Sequence, residues 1–76
     1  MKFIKVNTKE PQASYYYGEM LDELGQECEI KICEFGESMV FVTREYTITT
    51  SKVISIEQVK GLLVVETKNS FYMFGE

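Results

Sequence analysis

Seventy-six residues with 45% hydrophobic and 13% aromatic content define one small folding unit, residues 1–76, too rich in core-forming side chains for a disordered chain. The net charge of −4 is uneven: residues 1–38 carry eight acids against four lysines, whereas residues 39–76 carry four acids and four bases. No Lys/Arg run offers the basic patch that direct nucleic-acid binding requires, and no stretch approaches the roughly 18 apolar residues of a membrane-spanning helix.

The start of the chain, Met1-Lys2-Phe3-Ile4-Lys5-Val6, lacks the continuous apolar segment of a signal peptide, so the expected location is cytoplasmic. Lys2 to Val6 alternates between charged and apolar residues and reads as a first strand. Asn7 to Pro11 is polar and ends in a proline, which reads as a loop. From Pro11 two readings compete. One is a helix from Gln12 to Leu24 with Ala13, Tyr17, Met20, Leu21 and Leu24 on one stripe and Gly25 as its stop. The other is a short strand over Ser14 to Tyr17 followed by one or two helical turns from Glu19 to Leu24, since Gly18 costs a helix about 1 kcal/mol. A short helix near residues 16–24 is the expectation.

Glu27 to Phe35 reads as a strand with Cys28, Ile30 and Ile32 on one face, and its phase breaks at Ile32-Cys33. Phe35 to Ser38 is a turn. Met39-Val40-Phe41-Val42 is wholly apolar and suits a strand buried on both sides. Thr43-Arg44-Glu45 either turns the chain or continues it. Tyr46 to Ser51 is a hydroxyl-rich strand, Val53 to Glu57 the next strand, and Gln58 to Gly61 a connection.

The last segment carries the clearest pattern. Leu62 to Thr67 and Ser70 to Phe74 are rich in β-branched and aromatic residues, and the short connection Lys68-Asn69 suits a two-residue hairpin loop, since Asn tolerates positive φ. With that loop Thr67 stands opposite Ser70, Val65 opposite Tyr72 and Leu63 opposite Phe74; a loop at Asn69-Ser70 changes the pairs but leaves the same residues sharing each face. The other face holds Leu62, Val64, Glu66, Phe71 and Met73. Both faces are apolar, so both are expected to be covered. The whole is a mainly β fold, α+β with the short helix: an antiparallel meander curled into a small barrel-like or strongly twisted sheet.

Chemistry is constrained by what is missing. The chain has no histidine, so no Ser–His or Cys–His pair exists within it. Asp22 and Glu23 are adjacent and diverge on a helix, which makes a poor acid–base pair. The five glycines are scattered and form no phosphate-binding loop. Cys28 and Cys33 stand five positions apart and would point to opposite faces of a regular strand, favouring free thiols unless a bulge brings them round. Zinc would need two further ligands. No enzyme, metal or cofactor is expected.

Surface readings remain. A 76-residue chain buries only about 60% of its unfolded surface, and such chains gain stability from oligomerisation. The doubly apolar hairpin, through Leu62, Val64, Phe71 and Met73, is the expected self-association surface of a small non-enzymatic interaction module, a regulator or inhibitor acting through protein contacts. One alternative is a small-ligand-binding protein: Tyr15, Tyr16 and Tyr17 would stack on a nucleotide or sugar metabolite, and Thr47, Thr49 and Ser51 would supply hydroxyls. A further alternative concerns the seven acids between Glu19 and Glu37. Such a run is ordinarily a solvated face, but Glu27, Glu29 and Glu34 would also suit an acidic mimic of nucleic acid in a partner's basic groove.

Thr50-Ser51-x-Val53 followed by Thr67-Lys68-Asn69-Ser70-x-Tyr72 resembles the tail of short uncharacterised bacterial and phage β-rich proteins. The resemblance spans about a third of the chain and implies no activity.

Overall fold

A computed structural model describes residues 1–9 and 17–76. Alternation builds the first strand, β1 (Lys2–Thr8): Phe3, Val6 and Thr8 turn inward, and a register shift between Phe3 and Lys5 leaves both Ile4 and Lys5 outside. The strand runs two residues past the expected end, because Asn7 and Thr8 still pair with the C-terminal strand. The helix α1 (Tyr17–Asp22) is short and is followed by a turn reaching Gly25, whose φ of 86° only glycine adopts readily. Met20 and Leu24 pack on the core, while Leu21 faces solvent, so the stripe read from sequence is only partly used. Ala13, Ser14, Tyr15 and Tyr16 lie outside the described residues.

Next come β2 (Cys28–Ile32) and β3 (Ser38–Thr43). The phase break in β2 falls earlier than expected, between Ile30 and Ile32, so that Ile32 points outward and Cys33 packs on the core. This bulge also corrects the cysteine geometry. Cys28 and Cys33 are free thiols, yet both pack against the same core, and burial pushes both thiols above their ordinary pKa. In β3, Met39 and Phe41 are buried but Val40 and Val42 are only half-buried, so this strand is covered on one side rather than two.

The largest departure is β4 (Thr47–Val59), a single strand of 13 residues where two were expected. Its first half pairs with β3 and its second half with β5 (Leu62–Thr67), so it turns the corner of the sheet. Register shifts on both sides of Val53 supply the bend. Thr50 serves the first of these: its hydroxyl accepts the Met39 N–H at 3.0 Å and donates to the Ser51 carbonyl at 2.7 Å. Lys60 (φ 52°) and Gly61 (φ 80°) make the tight turn into β5. The last strand is β6 (Ser70–Gly75), with Leu63 opposite Phe74 and Val65 opposite Tyr72, which selects the Lys68-Asn69 loop over the Asn69-Ser70 alternative.

The result is one antiparallel sheet of six strands in the order β1-β6-β5-β4-β3-β2, curled into a half-barrel. Its two edge strands meet at one end. Phe3 N–H donates to the Gln26 carbonyl, Gly25 N–H to Phe3 and Cys28 N–H to Met1, at 2.6–2.9 Å. Inside the curl, Phe3, Phe41 and Phe74 form a fully buried triangle with ring centroids 5.0–5.6 Å apart. Edge-to-face and stacked contacts of this kind add to the burial itself. Among the described residues no helix is long and apolar enough to cross a membrane.

Candidate interaction surface

The inner face of the β5–β6 hairpin is core: Val65, Thr67, Ser70, Tyr72 and Phe74 are buried, and burial pushes the Tyr72 phenol above its ordinary pKa. The outer face is another matter. Leu62, Val64 and Met73 are half-buried and Phe71 is exposed, and no described residue lies across them as a second layer. Among the described residues, therefore, only the inner face of the hairpin is covered. Six strands curl one way, their single core lies inside the curl, and the short helix packs near β1.

Neighbouring strands extend this outer surface. Ile4 of β1 is 40% exposed and Val59 of β4 is 46% exposed. Gly75 explains how Ile4 and Leu62 come together. A Cβ at position 75 would lie 2.7 Å from Ile4 Cδ1 and 2.8 Å from Leu62 Cδ2, so the space above the glycine is filled by these two side chains. Beside them, Lys5, Asn7, Val64, Phe71, Tyr72 and Met73 line a shallow groove of about 290 Å³. That is at the small end for a metabolite pocket.

Charges frame the surface. Lys9 stands with its Nζ 2.7 Å from Glu66 Oε2 and 5.0 Å from the centre of the Phe71 ring, closing one end. Lys5 on β1 and Glu57 on β4 are exposed at opposite margins, and neither joins an ion pair among the described residues. Sequence reading found Leu62, Val64, Phe71 and Met73 but missed Ile4, Lys5, Glu57 and Val59. Ile4 and Lys5 join through β1 pairing with β6, across some 65 residues of chain, which no local pattern reveals. Glu57 and Val59 join through the adjacent β4–β5 hairpin, where Gln58 to Gly61 reads as a longer connection but Gln58 and Val59 stay in the strand.

The residues read as ligand contacts do not converge. Tyr15 and Tyr16 lie outside the described residues, as does the side chain of Tyr17. Thr47 and Thr49 face outward from β4. Ser51 has a structural task instead: its hydroxyl donates to Thr67 Oγ1 at 2.9 Å and accepts the Asn69 N–H at 3.1 Å.

The acidic residues are likewise dispersed among separate local partners. Glu27 approaches the amino terminus at 3.3 Å, Glu29 pairs with Lys31 at 3.0 Å, and Glu34 is exposed. Glu23, read as part of a solvated face, is only 5% exposed, and its Oε1 has no hydrogen-bond partner among the described residues. No group of acids and cysteines suited to a metal ion occurs among the described residues. No protein-family model, curated protein or solved structure matches this chain.

Proposed function

We propose that this chain is a small non-enzymatic interaction module, a regulator or inhibitor that works through protein contacts and associates with itself. The observation that carries this reading is the outer face of β5–β6, where Leu62, Val64, Phe71 and Met73 adjoin Ile4 and Val59 on one continuous surface. Apolar area of this kind gains roughly 25 cal/mol per Å² when it leaves water, and contiguous apolar patches commonly mark interaction sites.

Light scattering over tens to hundreds of micromolar tests the reading. A mass above that of the 8.8 kDa monomer is expected. Phe71→Glu or Met73→Glu should return the particle to monomer mass, because each buries a charge in the contact. A strictly monomeric parent chain, or an oligomer indifferent to both substitutions, would remove this face from consideration.

A further inference from the structure

The outer surface carries a pattern across its strands as well as along them. Lys5 pairs with Met73, Met73 with Val64, and Val64 with Glu57, so one transverse row reads cation, apolar, apolar, anion. Its ends stand three strand spacings apart, about 14 Å. Lys5 and Glu57 therefore cannot meet within one chain, and both are left exposed without an ion-pair partner among the described residues.

Consider a second copy laid face to face on this one. A two-fold axis lying between the sheets and parallel to the strands exchanges β1 with β4 and β5 with β6. Lys5 then lies over the partner's Glu57, Met73 over Val64, Val64 over Met73, and Glu57 over Lys5. An axis lying across the strands would instead place Lys5 over Lys5 and Glu57 over Glu57. Only the first arrangement pairs opposite charges.

The neighbouring rows agree with it. The row Lys2, Gly75, Leu62, Val59 sets the lysine stem over Val59. The row Asn7, Phe71, Glu66, Ser55 sets Asn7 over Ser55 and Phe71 over the Glu66 stem, whose carboxylate is already held by Lys9. No row opposes like charges. Sheet twist is accommodated as well: packed sheets cross at about 30°, which displaces groups about 7 Å from the axis by about 3.6 Å, within the reach of a lysine side chain.

We infer that the outer face binds a second copy of this chain about a two-fold axis parallel to its strands, with two symmetry-related Lys5–Glu57 contacts fixing the alignment. This rests on the self-association reading above and adds the identity and orientation of the partner. The contact covers four short strands, a footprint of roughly 300–400 Å² per copy. Stable interfaces bury nearer 800 Å² per partner, so the dimer is weak and concentration-dependent.

The test is a charge exchange read by sedimentation equilibrium up to about 300 µM, the range that a small interface calls for. Lys5→Glu and Glu57→Lys each create two like-charge contacts and should raise the dissociation constant by at least about tenfold. Combined in one chain they restore opposite charges, and the constant should return to within about threefold of the parent. Both residues are exposed, so the variants retain the fold, which circular dichroism checks. A monomeric parent chain overturns both readings. A parent dimer that Met73→Glu dissociates but neither charge reversal weakens keeps the surface and overturns the two-fold alignment. A folded double variant that stays monomeric also overturns it.

Discussion

At the scale of single residues, hydroxyls decide how this hairpin closes. Thr67 is fully buried, and its Oγ1 accepts the Ser70 N–H at 3.2 Å while donating to the Ser70 carbonyl at 3.2 Å. Ser51 adds a third bond to the same oxygen. The Thr67 carbonyl is thus left to accept from Lys9 Nζ at 3.2 Å. Two effects oppose each other in Thr67→Val, which keeps the shape and removes the hydroxyl. Valine gains a few tenths of a kcal/mol in strand preference. The buried Ser70 N–H loses its partner, which costs about 1–3 kcal/mol. The second effect wins, so urea denaturation should show a net loss of about 1–2.5 kcal/mol. Ser51→Ala should lose less, because Ser51 is half-buried and water can replace it. Equal stability of parent and Thr67→Val would show that the side-chain closure is dispensable.

At the scale of elements, the hairpins are governed by turn geometry. Lys60 holds a φ of 52° at the β4–β5 turn, a conformation in which L side chains other than Asn and Asp are strained. Lys60 is exposed, so its side chain supplies no burial to offset that strain. Lys60→Asn, followed by Gly61, creates the Asn-Gly pair that two-residue hairpin turns favour and should stabilise the protein by about 0.5–1 kcal/mol. A lower denaturation midpoint would refute the strain argument.

The same elements show what the sequence made legible. The two faces of β5–β6 were readable because a period of two keeps the same residues together for either placement of the short loop, whereas the register needed the structure to choose Lys68-Asn69 over Asn69-Ser70. The unity of β4 was not. Thr49, Thr50 and Ser51 carry the chemistry of a turn, yet Thr50 occupies a bulge inside a continuous strand, and its hydroxyl replaces a ladder partner for Met39. The early flip at Ile32 was equally hidden, since a bulge one residue to either side leaves the same composition. Four residues of the candidate surface were legible as the hairpin's second face. Those from β1 became visible only with its non-local pairing to β6, and those from β4 only once the strand proved to run on to Val59 before a tight turn.

At the scale of the whole molecule, the two arms of the curled sheet are joined through the aromatic triangle. Phe3 and Phe74 come from β1 and β6, whereas Phe41 comes from β3, beyond the corner in β4. Backbone pairing alone links the arms through β4 and through the short contact near Phe3. Phe41→Ala would remove the ring that touches both Phe3 and Phe74 and leave a cavity, costing about 3–5 kcal/mol. A chain of this length has a total stability of about 4–11 kcal/mol, so the loss is a large share of the whole. If the core is one cooperative unit, amide exchange should accelerate together in β2–β3 and in the distant β5–β6 hairpin. Phe41→Leu, which keeps most of the volume, should retain most of the protection in both. If exchange accelerated in β2–β3 alone while β5–β6 kept its protection, the arms would be separate units, and the aromatic triangle would not couple them.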